Sequence, residues 1–178
     1  MKTITTLLML SIYCAGCYVT AYFTSKTDKT VTVPVFTRIL IVSSLSGDNT
    51  AYLATFQKRF PKQYQVCTVD VGPVSFGNAD SLIRAQQQAC RSEVVLTIKP
   101  LREYAAEELQ TNYTPSINRE YIAILTDVAT DRPFWKATTT LPGNWTPRAI
   151  DVVRQLYADG MLGQEWLNPS EAVAAEKQ

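Results

Sequence analysis

Two rhythms of apolar residues alternate along the chain, one of strands and one of helices. Arg38–Ser43 is a continuous apolar run, which predicts a strand covered on both faces. Ser46, Gly47, Asp48 and Asn49 are turn and cap residues, and from Thr50 onward Tyr52, Leu53, Phe56 and Phe60 recur at helical spacing until Pro61. Residues 64–71 alternate, with Val66, Thr68 and Asp70 on one face and Cys67, Val69 and Val71 on the other, which predicts a second strand. Gly72-Pro73 and Gly77-Asn78 bracket a loop. Asn78 or Asp80 can then cap a helix that gathers Leu82, Ile83, Gln86, Ala89 and Cys90 on one side.

Residues 93–99 predict a third strand, through Val94, Val95, Leu96 and Ile98. Residues 100–119, bracketed by Pro100 and Pro115, are polar and less regular, and predict a short helix or loop near Glu103 to Leu109. Residues 121–128 and 134–140 read as two strands joined by the turn-rich stretch 129–133, hence an antiparallel hairpin. In the second of these, Trp135 and Ala137 face one side and Phe134, Lys136 and Thr138 the other. The last helix has an N-cap in Thr146, proline at its first position in Pro147 and Asp151 in its first turn. Ile150, Val153, Leu156 and Tyr157 form its buried stripe, and Gly160 its C′ end. The order β-α-β-α-β-β-β-α predicts an α/β fold. Crossover helices make the first three strands parallel neighbours, the hairpin adds antiparallel ones, and the result is a mixed sheet of about five strands with helices packed on it. The pattern leaves open whether the helices cover one face or both.

The N-terminus follows a different rule. Residues 3–25 carry no charge, and the densest apolar part is Leu7-Leu8-Met9-Leu10-Ser11-Ile12-Tyr13. A basic start, a short apolar run and small residues after it form the layout of an export signal. Cys14-Ala15-Gly16-Cys17 follows, and Ala-Gly-Cys resembles the end of the bacterial lipobox, in which the cysteine after small residues receives a diacylglycerol. Cys14 stands where that pattern has leucine. The division implied is a signal peptide over residues 1–16, a lipid-anchored tether over 17–36 with Cys17 as the acylated residue, a single α/β domain over 37–163, and a C-terminal tail over 164–178. Two alternatives stay open. Val19-Thr20-Ala21 fits an ordinary small-x-small cleavage site, and an uncleaved helix of about 23 residues would reach roughly 34 Å, enough to cross a bilayer. Cys14 and Cys17 also have the spacing of a redox pair, but they lie in an apolar leader with no preceding strand.

Composition narrows the chemistry. With 178 residues, 46% of them hydrophobic, the chain is one domain able to bury a core. Seventeen Lys and Arg against 16 Asp and Glu leave a net charge of +1, so no overall excess drives binding to nucleic acid or anionic lipid, although a local patch stays open. The absence of histidine removes the Ser-His-Asp triad, the Cys-His pair and every His metal ligand. No glycine-rich phosphate cradle occurs.

Asp127, Asp131 and Asp151 are scattered over a strand, a turn and a helix, and read as turn-forming and capping carboxylates rather than metal ligands. Glu103, Glu107 and Glu108 read as a solvated face. Serines 43, 44 and 46, which would need Lys58 or Lys99 as a base, read as turn residues. No catalytic residue, metal or cofactor is therefore expected. Cys67 and Cys90 are an even pair in an exported chain, which suggests a disulfide. Two buried thiols are the alternative. Tyr104, Tyr113, Tyr121, Phe134, Trp135, Trp145 and Trp166 concentrate in the second half. Of these, Trp145, ahead of a helix cap, and Trp166, in the tail, are the candidates for a partner-binding surface.

The lipobox-like start, the Thr-rich tether and the small α/β body resemble the small bacterial envelope lipoproteins of uncharacterised families. Tyr121-Ile-Ala-Ile-Leu-Thr-Asp-Val-Ala-Thr, then Pro133-Phe-Trp-Lys-Ala and the helix end Asp159-Gly160, resemble a hairpin and final helix found in several of them. The resemblance covers about 40 residues and carries no catalytic residue. It implies a body held at the cell envelope, binding another envelope protein or supporting an assembly, with no nucleic acid partner. Tyr18 after Cys17 resembles the outer-membrane sorting case. A periplasmic small-molecule or lipid binder, using a groove between sheet and helices, is the alternative. A hydrolase using serine with lysine, or paired acids, is a further one.

Overall fold

The computed structural model describes residues 21–45, 49–73, 75–105 and 117–163. They form strands β1 (Thr24–Thr27), β2 (Arg38–Ser43), β3 (Gln65–Asp70), β4 (Val94–Ala105), β5 (Ile117–Asp127) and β6 (Arg132–Pro142), and helices α1 (Thr50–Arg59), α2 (Ala79–Cys90) and α3 (Ala149–Ala158). The six strands make one mixed sheet in the order β1-β6-β5-β4-β2-β3. β2 is parallel to both β3 and β4, and the remaining pairs are antiparallel.

The placement of the helices follows from handedness. The step from β2 to β3 runs toward one edge of the sheet, and the step from β3 to β4 runs back past β2. Right-handed crossovers in opposite directions put α1 and α2 on opposite faces. On one face Leu53 and Phe56 of α1 and Val152, Val153 and Leu156 of α3 pack with Ile39, Ile41, Leu96, Ala123, Leu125 and Ala137. On the other, Ile83 of α2 packs on Leu40, Val42, Val95, Val69 and Val71. β2 lies between the two layers, which accounts for its uninterrupted apolar run.

Loop chemistry holds the strand ends. Asn78 caps α2, its side-chain oxygen accepting from the N–H groups of Asp80 and Ser81 at 2.9 and 3.2 Å. Asn49 precedes α1 but makes no cap bond. Its buried amide donates to the Leu45 carbonyl and to the Asp70 carboxylate, at 3.0 and 2.9 Å, so it ties the end of β2 to the end of β3. Gly72 passes so close to this latch that a Cβ there would lie 2.6 Å from the Leu45 oxygen.

Four expectations are corrected. Thr24–Thr27, within the stretch read as a tether, pairs with β6 and brings the strands to six. Residues 100–105 continue β4 and 117–120 begin β5, where a helix or loop was expected; the rest of that stretch lies outside the described residues. Ion pairs stitch this extension across the strands, Arg102 with Glu120 and Arg119 with Glu103. Pro100 stands beside a register shift that falls between it and Arg102, the kind of irregularity at which a strand accommodates proline. Phe134 is buried beside Trp135 rather than facing outward with Lys136, because an irregularity at Leu125/Thr126 interrupts the alternation. Finally, α3 begins at Ala149 with Arg148, not Thr146, in the cap position, and Asp151 accepts from the Arg148 side chain instead.

Glu93 clamps the start of β2 to the start of β4. It accepts from the Thr37 and Arg38 N–H groups at 2.7 and 3.0 Å and from the Arg38 guanidinium at 2.7 Å. The two backbone bonds, aided by the Arg38 charge, hold its carboxyl below its ordinary value of 4.5. A depressed carboxyl stabilises the fold above its unfolded value, and that contribution is lost as pH falls through the folded value. Glu93→Gln is therefore expected to cost about 1 kcal/mol at neutral pH, after a discount for its solvent exposure. The gap to wild type should close as the medium is acidified below 4.5, as chemical denaturation across pH will show.

Candidate functional site

The two faces of the sheet are covered unequally. α1 and α3 lie on one, whereas on the other α2 packs over β2 and β3 and meets β4 only at Val95 near its start, so among the described residues no helix packs on the outer face of β5, β6 and β1 or on the rest of β4. Alternation decides which side chains stand there. Since Tyr121, Ala123, Leu125, Trp135, Ala137 and Leu141 belong to the core and Thr139 is buried with them, the residues that alternate with these point outward.

Strand register arranges these outward residues in rows. Lys99, Ile122, Thr138 and Thr24 form one row across four strands. Thr97, Ile124, Lys136 and Lys26 form the next. Arg102, Glu120 and Thr140 form a third. Ile122 and Ile124 are half-buried at the centre, and Lys26, Lys99 and Lys136 are exposed around them. Arg102 is paired with Glu120 and also lies over the Tyr104 ring, 5.5 Å from its centre. Among the described residues the three lysines make no ion pair. Lys26 and Lys136 stand directly opposite each other on adjacent strands, an arrangement that repels. A groove of about 760 Å³ lies alongside, lined by residues 26–29 and 133–136.

A second concavity, of about 320 Å³, opens at the far ends of β4 and β5, between Leu45, Pro100, Glu103, Arg119, Tyr121, Asn144 and Thr146. Its charged groups and its phenol are already engaged. Arg119 pairs with Glu103 at 2.8 Å, and the Tyr121 hydroxyl donates to the Trp145 carbonyl at 3.0 Å. Burial pushes the Tyr121 phenol above its ordinary value. It does the same to Tyr52, whose buried hydroxyl has no hydrogen-bond partner among the described residues. Both phenols are thus kept protonated at neutral pH, so neither is a base there.

The residues singled out by sequence fall in several places. Cys67 and Cys90 form a disulfide between β3 and the end of α2, with Cα atoms 6.4 Å apart. Trp145, with 51% of its surface exposed, lies in the loop between β6 and α3, away from the open rows. Cys17 and Trp166 lie outside the described residues. Asp127 turns back onto Ala129 and Thr130 of its own hairpin, and Asp151 is buried against two arginines. Ser43 is buried, its hydroxyl accepting from the Leu45 N–H. Among the described residues no three metal-ligating side chains cluster, and no helix is long and apolar enough to cross a membrane. Sequence reasoning missed the open face. Its signal was present in the alternation of β5, where Ile122 and Ile124 take the outward positions between Glu120 and Thr126.

No family model matches the chain, and no curated protein does. It is similar in structure to PelC of Paraburkholderia phytofirmans, solved as a dodecamer, at 14% identity over 78% of this chain and 93% of that one, with a TM-score of 0.36. It is similar to lipoprotein GNA1162 of Neisseria meningitidis at 14% identity, over 68% of this chain and 98% of that one, with a TM-score of 0.33. Protein XCC0632 of Xanthomonas campestris is 19% identical over 71% of this chain and 78% of that one, with a TM-score of 0.27.

Proposed function

We propose that the protein is a non-enzymatic envelope lipoprotein, tethered to a bacterial membrane through Cys17, whose α/β body holds a partner protein on its open sheet face. The observation that carries this reading is the uneven cover of the sheet. Four strands present an outer face with two isoleucines at its centre, which among the described residues a helix meets only at Val95, near the start of β4. A surface of that kind reads as an interaction site. The strand-end concavity supports a small-molecule binder less well, since its two charged groups are paired with each other and its phenol is taken by a backbone carbonyl.

The tether fits the same picture. Thr24 opens β1 seven residues after Cys17, so the linking chain spans at most about 25 Å. The body of an acylated chain therefore stays near the lipid surface, with β1 as its nearest strand. The outer membrane is the favoured location, on the Tyr18 signal.

Two measurements test the proposal. Growing cells given a clickable fatty acid should label the wild-type chain and leave Cys17→Ser unlabelled; an unlabelled wild type removes the anchor. A photo-crosslinking residue in place of Thr138 should capture a discrete partner, whereas the same residue in place of the exposed Lys58 on α1 should not. Equal capture at both positions removes the open face as the docking site.

A further inference from the structure

We infer that the partner held on the open face is a protein with an acidic rim around an apolar centre, recognised by Lys26, Lys99 and Lys136. This rests on the reading that the open face holds a partner, and it adds the chemistry of that partner.

Three observations point the same way. The rows of the face carry four cations, Lys26, Lys99, Arg102 and Lys136, against one anion, Glu120, and that anion is taken by Arg102. The chain as a whole is nearly neutral, at +1, so the fold has gathered this patch from a balanced composition. Lys26 also stands opposite Lys136 in the row; the nearby Asp28 carboxylate offsets part of that repulsion, and an anionic surface would relieve the rest.

The two isoleucines decide between anions. An anionic lipid surface would meet the lysines, but Ile122 and Ile124, half-buried between them, offer it little apolar side chain to insert, whereas a protein can match apolar side chains to them at the centre and carboxylates to the lysines at the edge. A second copy of this chain docked face to face would set lysine against lysine. The face is small. Strands about 4.8 Å apart, three of them offering about 20 Å of length and the four-residue β1 about 13 Å, present roughly 350 Å², less than half of what a standard interface takes from one partner. The contact is therefore weak on its own and sensitive to salt, and confinement of the body near a membrane raises its effective concentration.

A zero-length carbodiimide applied to membranes holding the full chain reads this contact directly. The reagent activates a carboxylate, the lysine amine displaces the activated group to form an amide, and the carbodiimide leaves as its urea, having taken up one water. Mass spectrometry is expected to find Lys26, Lys99 and Lys136 joined to Asp or Glu of another protein. Their yield should exceed that at the exposed Lys58 and Lys62 by about fivefold, and should fall on the order of tenfold in about 0.5 M sodium chloride. Even labelling of all five lysines overturns the inference, and so do crosslinks confined to a second copy of this chain. Lysines that yield no crosslink and become shielded from an amine-reactive reagent only when phosphatidylglycerol vesicles are added would assign the face to lipid instead, which overturns it as well. Photo-capture at position 138 does not depend on charge. A partner caught there without carbodiimide crosslinks would sink the acidic rim and keep the proposed function, whereas no partner caught there would sink both.

Discussion

Reduction of the Cys67–Cys90 bridge is expected to lower the stability of the body by about 3 kcal/mol, the loop-closure term for a separation of 23 residues. The effect should be concentrated in α2. That helix has no fully buried residue, and the core beneath it is limited to Leu40, Val42 and Val95 with Ile83, Val69 and Val71 against them. By contrast, α1 and α3 share the large core on the other face. The bridge runs from β3, an edge strand, to the last residue of α2, so it supplements an apolar contact that is thin on this side. For a body of this size the thermal midpoint should fall by about 10 °C with reductant, or in the Cys67→Ala, Cys90→Ala double variant. Amide exchange should quicken over α2 well before it does over α1 and α3. A midpoint indifferent to reductant would show that α2 is held by its packing alone. The bridge also suits the compartment that the leader implies, since disulfides persist outside the reducing cytosol.

The fold was legible where burial repeats along the chain. β2, β3 and the hairpin β5–β6 show their strand patterns plainly, and the β-α-β-α-β order gives the parallel core without further help. What was hidden lay in residues whose strand character comes from partners rather than from their own side chains. Thr24–Thr27 is polar and becomes a strand only because β6 offers it an edge, with the Gln155 amide donating to Ser25. Glu103 looks like part of a solvated helix face until Arg119 stands opposite it. Thr146 and Pro147 spell a helix start, yet Arg148 and Asp151 bond to each other and set the first turn two residues later. In each case tertiary pairing overrode a local signal.

The candidate site was less legible, for a related reason. A docking face built from four strands is a two-dimensional arrangement, and a sequence shows only one strand of it at a time. Lys26, Lys99 and Lys136 are far apart along the chain, and nothing near any one of them announces the others. Their rows follow from register, which is fixed by the hairpin, by the β4–β5 pairing and by the unforeseen strand β1. The aromatic signal drew attention to Trp145 instead, which is half exposed but stands past the end of β6. Exposure of one large side chain marks a surface less well than a shared charge across neighbouring strands.

Asp151→Ala is expected to have the most specific effect on the part of the body that meets the tether. Asp151 sits in the first turn of α3 with its side chain 1% exposed. It accepts from Arg148 at 2.8 and 2.9 Å, from Arg154 at 3.2 Å and from the N–H of Ala21 at 3.4 Å. The helix N-terminus favours its charge as well. Breaking a fully buried ion pair costs about 3–5 kcal/mol, because the remaining charge is stranded. Here the partners are 35% and 46% exposed and can turn to water, so the expected loss is about 2–3 kcal/mol. Arg148→Ala should cost less, about 1 kcal/mol, since the carboxylate keeps Arg154 and Ala21. The two variants should also differ in where they loosen the chain. β1 is a four-residue edge strand, and with the Ala21 contact gone it depends on its pairing with β6, on Gln155 and on the bond from Thr139 to the Tyr22 carbonyl. Trypsin should therefore cut after Lys26 faster in Asp151→Ala than in Arg148→Ala, even where the two are compared at matched distance below their thermal midpoints. Equal cutting would mean that β1 is held by the sheet alone and that Asp151 merely stabilises α3. Faster cutting would make the buried carboxylate the point at which the tether is fastened to the body, directly upstream of the strand that carries Lys26 onto the open face.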